Sequence, residues 1–267
     1  MNMYLSMFRM RFIAGMQYRA AAWAGVATQF FWGFMYIMIF RAFYASSSTE
    51  PPMPWPQLVS YMWLQQAFLA IIMLWWQDND LLSSISTGQV AYELSRPYDL
   101  FRMWYARLLA MRLSNVLLRC VPILVVAAFL PAQYRLALPA GIGSAAMFLL
   151  SLFLSLFLVA AISMFIYITT FVTLSPMGAR LLIGVASEFL QGSVIPIPLM
   201  PEGLQRVLSF LPFRYASDLP FRLYSGNISG ADALFQICVQ FVWIVALLAL
   251  GNLAFKRIMR RVVIQGG

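Results

Sequence analysis

Histidine is missing from this sequence of 267 residues, and lysine occurs once, at Lys256. Without imidazole there can be no histidine general base, no histidine metal ligand and no triad built on one. The P-loop pattern GxxxxGK[ST] needs a lysine, and the Phe-Lys-Arg around Lys256 does not fit it, so no nucleotide site of that kind is expected. Charge is scarce too: 10% of residues are Asp, Glu, Lys or Arg, against about 25% in soluble domains. The two cysteines, Cys120 and Cys238, lie inside apolar runs and read as packing residues rather than a disulfide or a metal pair. No metal site is expected. No internal repeat is visible, which argues against carriers made of repeated halves. The beginning of the chain has no compact apolar core followed by a small-residue cleavage site, so no signal peptide is expected.

What the sequence has in quantity is apolar surface. Hydrophobic residues make up 62% of the chain and the mean hydropathy is +0.79. Several apolar runs reach the roughly 20 residues that cross a bilayer. The net charge of +9 comes from arginine, with 17 Arg beside the single Lys. In a lipid-dissolved chain these read as topology signals and headgroup contacts rather than as a nucleic-acid surface.

The expected fold is all-α, a polytopic membrane protein of one transmembrane domain over residues 1–267. Residues 1–19 predict an amphipathic helix in the membrane interface, with Asn2, Ser6, Arg9 and Gln17 loosely on one side and Arg11 off it; a frayed basic tail is the alternative. Six spans follow, at 20–44, 57–76, 108–130, 141–172, 179–195 and 231–255. Sidedness follows from the basic residues near span ends. Arg9, Arg11, Arg19, Arg96, Arg102, Arg107, Arg180, Lys256, Arg257, Arg260 and Arg261 fall on one side; Arg41, Arg135, Arg206, Arg214 and Arg222 fall on the other. The richer side, with both termini, is expected in the cytoplasm of a bacterial cell (inner) membrane.

Two segments break the pattern. The cytoplasmic stretch 78–107 contains "STGQVAYELSRPYDLF". Gly88 permits a sharp turn, Gln89 to Ser95 predicts about two helical turns, and Pro97 biases Arg96 away from helix. Asp99 is placed to cap the next helix. Val90, Tyr92 and Leu94 are then available to a partner; a plain topology-holding loop is the alternative. On the other side, residues 196–228 are too apolar for a solvated loop and too rich in proline for one span. Pro196, Pro198, Pro201, Pro212 and Pro220 divide them. Short helices are expected over "PEGLQRVLSFL", with Pro201 in its first turn and Glu202 near its positive end, and over "SDLPFRLY", capped by Ser217 or Asp218. Together they predict a re-entrant hairpin lying against protein.

Ionisable residues at membrane depth usually face protein or a cavity. Arg119 and Glu188 both count to mid-membrane at about 1.5 Å per residue, and a pairing between them is one expectation; a role for Glu188 in a substrate pathway is the other. Arg112, Asn115, Gln191, Gln65 and Gln66 add polarity at similar depth. The tryptophans fit either interface anchors or cation–π contacts with a cationic substrate.

The combination of an interfacial helix, a short cytoplasmic helix after the second span and a Pro-rich hairpin after the fifth resembles the permease subunit of the type-2 ABC exporter family. The resemblance covers essentially the whole chain. It is carried by "DNDLLSSISTGQVAYELSRPYDL" and "GSVIPIPLMPEGLQRVLSFLPFRYASDLPFRLYSG". The branch it most resembles exports drugs, toxins or viologen-like cations, often with two different permeases; Leu81 departs conservatively from an isoleucine common there.

The resemblance implies a second permease, the same or a paralogous chain, and two separate P-loop ATPase subunits. ATP and Mg would bind to those subunits, so this chain carries no cofactor and is not itself an enzyme. By the same resemblance Gln89, Val90, Tyr92, Glu93, Leu94, Arg96 and Pro97 form the coupling element. Pro196, Pro198, Pro201, Pro212, Phe213 and Pro220 belong to an external gate, and a small hydrophobic or cationic molecule is the substrate. The other classes left open are an ion-coupled secondary transporter and a non-transporting assembly component of a membrane complex.

Overall fold

The computed structural model describes residues 3–47 and 50–260; the expectations for Asn2 and Arg261 fall outside the described residues. In chain order the α-helices are α1 (Met3–Met16), α2 (Arg19–Ser46), α3 (Trp55–Ala67), α4 (Leu69–Ile72), α5 (Asn79–Ser86), α6 (Ala91–Leu94), α7 (Leu100–Phe129), α8 (Ile142–Thr173), α9 (Pro176–Leu190), α10 (Glu202–Ser209), α11 (Asp218–Tyr224) and α12 (Gly230–Met259). Two 3-10 turns, Ile197–Leu199 and Phe213–Ala216, complete the regular structure, and no strand occurs among the described residues. The all-α expectation holds.

Helices α2, α7, α8 and α12 are long and apolar enough to cross a membrane. Their 28 to 32 residues give about 42–48 Å at 1.5 Å per residue, more than a hydrocarbon core of about 30 Å. The two other expected spans take a different form. Residues 57–76 are not one helix: α3 ends at Ala67, Phe68 sits at φ −105°, ψ 17°, and α4 adds one turn before Met73 becomes extended. Residues 179–195 lie partly in α9, whose 15 residues stop at Leu190.

The N-terminal helix also differs from expectation. It forms, but its apolar residues gather on no one face. Its place comes from packing along α7: the Asp99 backbone N–H donates to Tyr4 Oη at 3.2 Å, and Arg11 reaches Asp80 at 3.8 Å.

The chain's two ends of the bundle are well separated in character. At one end the links after α2 and α7 meet, through Trp55 Nε1 donating to Gln133 O (2.9 Å), Trp63 Nε1 to Tyr134 O (2.7 Å) and an Arg41–Tyr134 contact. The hairpin docks at this end, with Ala140 N donating to Tyr224 O and Gln57 Nε2 to Ser225 O. At the other end lie the start of α7 and the last turns of α8 and α12, joined by an aromatic cluster. There Trp104 stacks on Phe171 with centroids 5.8 Å apart, and Phe255 meets Trp104 edge-on at 5.6 Å. The 78–99 segment packs at this second end.

The hairpin is ordered, and its two helices, α10 and α11, lie within the two stretches expected for them. Pro196, Pro198, Pro212 and Pro220 are buried, Phe213 is half-buried and Pro201 is exposed, one residue ahead of α10. The expected cap of α11 is not made. Ser217 Oγ donates instead to Gln191 O (3.0 Å), and Asp218 receives Tyr61 Oη (3.4 Å) and pairs with Arg222 (3.4 Å). Backbone that leaves a helix within lipid needs partners from elsewhere, and side chains of neighbouring helices supply them. Tyr61 donates to Gly192 O (3.1 Å) and Gln65 to Ser193 O (2.7 Å). On the far side Gln240 and Ser155 both donate to Tyr215 O, at 2.8 and 3.1 Å. Gly192 turns the chain at φ +79°, where a Cβ would come within 3.0 Å of both Tyr61 Oη and Ile197.

Candidate functional site

At the end opposite the hairpin, a short unit stands on α7. Asp78 caps α5, its Oδ1 accepting from the backbone N–H groups of Asp80 (3.1 Å) and Leu81 (3.2 Å). The same carboxylate takes two bonds from the buried Arg107, Nε to Oδ2 at 2.5 Å and Nη2 to Oδ1 at 2.8 Å. Arg107 also lies 3.4 Å from Asp80. A buried two-bonded ion pair fixes direction as well as distance, so α5 is held at a set angle to α7. Sequence reading assigned Arg107 to topology alone and gave Asp78 no partner; the signal was present as an Asp directly ahead of a short helix with a second Asp at its start.

The expected two-turn helix is a single turn, α6. Gly88 adopts φ +77°, and Val90 N donates back to Ser84 O (3.0 Å), so the chain folds onto α5 instead of starting a helix at Gln89. Val90 is consequently 3% exposed, not available to a partner, and Leu94 packs beside the same apolar cluster. Tyr92, at 76% exposure, points outward, and Gln89, Arg96 and Pro97 are exposed beside it. Glu93 faces back, accepting from Trp104 Nε1 at 2.7 Å. Burial and the Glu93 carboxylate both raise the pKa of the neighbouring Tyr98 phenol, which stays protonated. Asp99 caps α7 as expected, accepting from Arg102 N (3.0 Å).

Between the two ends, the break after α4 leaves carbonyls with no helical donor. Arg112 answers it. Its Nη1 donates to the carbonyls of Ala70 (3.1 Å), Ile71 (3.2 Å) and Met73 (2.9 Å), and its Nη2 to Trp76 O and Ser163 Oγ, both at 3.0 Å. A planar guanidinium with five donors suits this task better than any other side chain. No Pro interrupts residues 68–76; an arginine on another helix takes the carbonyls in place of the helix's own amides.

Beside the break lies a cavity of about 270 Å³ between α2, α3, α4 and α9, lined by Trp32, Tyr36, Gln65, Gln66, Trp75 and Glu188. Glu188 enters it from α9, half-buried. Its expected partner is elsewhere: Arg119 sits over the Trp76 ring, 4.5 Å from the centroid, and no Arg119–Glu188 ion pair occurs among the described residues. Asn115 bonds to its own helix at Met111 O (2.8 Å). Gln191 is buried where α9 joins the hairpin, with Nε2 3.7 Å from Met73 Sδ. The intramembrane polar residues named from sequence thus divide among three places rather than forming one site. No cluster of potential metal-ligating side chains occurs among the described residues.

Comparison with known proteins gives one match. A family model described as "ABC-2 family transporter protein" matches residues 30–266. No curated protein and no solved structure matches the chain.

Proposed function

This chain belongs to the ABC-2 transporter family, and from that premise we propose that it is the permease subunit of an ATP-driven exporter, working with a second permease and two separate P-loop ATPase subunits. An ABC-2 chain is a membrane transport component rather than a catalyst, which fits the missing P-loop lysine. In this reading the chain makes six passes of a bacterial inner membrane, four by its long helices, one by the broken α3–α4 pair and one by α9. The end carrying α5 and α6 faces the cytoplasm with both termini, and the hairpin faces outward.

The observation that carries the reading is the fixed, outward-pointing turn at α6. Tyr92, Gln89, Arg96 and Pro97 stand exposed on a unit whose inner side is tied to α7 by Trp104–Glu93 and Arg107–Asp78. Such a knob passes a push to a spanning helix with little lost in bending. An ATPase closing around ATP supplies the push. Because α7 also holds the break in α3–α4 through Arg112, the movement reaches the wall of the Glu188 cavity. That cavity, with one carboxylate among Trp32, Tyr36 and Trp75, suits a hydrophobic or cationic molecule. The hairpin, bonded to α3, α8 and α12, keeps the outer end shut at rest.

Co-purification with a P-loop ATPase, nucleotide hydrolysis seen only in that assembly, and ATP-dependent export of an organic cation from proteoliposomes are the expected results. A chain that moves solute down an ion gradient with no ATPase present overturns the reading. So does an assembly that hydrolyses ATP normally after Tyr92 and Arg96 are both replaced by Ala.

A further inference from the structure

Arg119 is 9% exposed and makes no hydrogen bond or ion pair among the described residues; its Nε is buried without a partner. The guanidinium lies between the Trp76 ring and the backbone of α2 at Gly25, where a Cβ would stand 2.8 Å from Arg119 Cζ. A side chain at Gly25 would therefore push the guanidinium from this position. The side chain lines a cavity of about 460 Å³ between α1, α2, α7 and residues 76–80. Two other arginines line it, Arg11 and Arg107, and both face carboxylates, Asp78 and Asp80. Two cations against two anions balance, so the cavity keeps one uncompensated positive charge, on Arg119.

An unpaired buried cation is costly in a membrane protein, and the empty N–H groups facing a cavity define what relieves the cost. The mouth is formed by Tyr18, 71% exposed, and by Ala21, an exposed residue near the start of α2. Gly25 lies six residues beyond Arg19, about 9 Å along the helix, which puts the cavity within reach of the headgroup layer. We propose that this cavity is a binding site for a phosphate group, seated on Arg119 and presented by a lipid headgroup or by free phosphate. Guanidinium and phosphate match in charge and in planar donor geometry, and Trp76, Met111, Ala14 and Ala21 give the otherwise polar lining an apolar surface for the first carbons of a lipid.

The test uses the full chain in a neutral detergent, with wild type, Arg119→Gln and Ala21→Phe compared. Each is incubated with vesicles of phosphatidylglycerol or of digalactosyldiacylglycerol, a neutral galactolipid without phosphate, and separately with inorganic phosphate. Retained lipid is counted by native mass spectrometry, and the thermal midpoint is followed. Wild type is expected to retain one more phosphatidylglycerol than either variant, with affinity at least about tenfold higher, while the phosphate-free galactolipid is retained equally by all three. A midpoint raised by phosphatidylglycerol but not by inorganic phosphate assigns the site to lipid; a rise with inorganic phosphate that competes the lipid away assigns it to the free anion. Equal retention and equal midpoint shifts in all three proteins overturn the proposal. If Arg119→Gln does not fold, Ala21→Phe decides, because it fills the mouth from an exposed position and leaves the arginine in place.

Discussion

Arg107 on α7 and Asp78 ahead of α5 share two hydrogen bonds, 2.5 and 2.8 Å long, with both side chains less than a tenth exposed. Removing Arg107 leaves Asp78 buried without its counter-charge, which costs about 3–5 kcal/mol, whereas removing Asp78 leaves Arg107 only the exposed Asp80, at 3.4 Å. Arg107→Leu and Asp78→Leu are each expected to lower the thermal midpoint sharply in detergent. The double variant recovers much of the loss but stays below wild type, since the cap of α5, worth about 1 kcal/mol, is gone as well. A double variant no better than either single one refutes the pairing as the source.

Arg112 carries a heavier load. Its replacement by Met strands up to four carbonyls, each buried polar group costing about 1–3 kcal/mol; Ser163 keeps its bonds to Val159 O and Gln77. No monodisperse protein is expected from Arg112→Met in fluorescence-detected gel filtration, and a reduced but measurable yield from Arg112→Lys.

Tyr92 is the reverse case, an exposed ring with nothing resting on it. Tyr92→Ala should leave stability within about 0.5 kcal/mol. If the proposed ATPase subunit docks on this ring, its capture should weaken by at least about tenfold, as for a buried aromatic anchor at an interface. Binding titrations of the two purified components measure both sides of that statement.

Among the described residues Glu188 has no basic partner to lose. Glu188→Gln is expected to purify like wild type and to export an organic cation about tenfold more slowly, a change near 1.4 kcal/mol, with Glu188→Asp close to normal. Uptake into inverted vesicles for a cation and a neutral analogue of the same shape separates the carboxylate's charge from the cavity's size; only the cation should respond.

Gly192 holds the hairpin's first turn at φ +79° against Tyr61 and Ile197. Gly192→Ala combines left-handed strain with close contact and should cost about 1–3 kcal/mol. The loss should show as faster amide exchange over residues 191–200 before any change near α5.

How much of this was legible in the sequence depends on the range of the forces involved. The hairpin helices were legible because Pro201, Glu202 and the prolines at 212 and 220 act within a few residues of themselves. The capping of α7 by Asp99 was local in the same way. The break after α4 was not, because the side chain that takes its carbonyls, Arg112, lies 36 to 42 residues along the chain from them and no breaker marks residues 68–76. The one-turn length of α6 was hidden for a similar reason: Val90 joins α5 through Ser84, a tertiary choice that local propensity does not contain. Arg119 and Glu188 were both placed at mid-membrane by counting along their own helices, a count that gives no azimuth and, for Arg119, takes no account of the nearby start of α2. They face different cavities, and so the pair expected from depth alone is not formed.

The short helix α9 has one more consequence. Its 15 residues cover about 22 Å, with Leu181, Leu182, Val185 and Phe189 exposed along it, beside neighbours twice as long. In the six-pass arrangement proposed above, acyl chains along this flank would have to shorten or tilt to match it, which would make the flank a locus of hydrophobic mismatch. Bilayer thickness then acts on the wall that carries Glu188, and lipids of differing chain length become a means of tuning that wall without touching a residue.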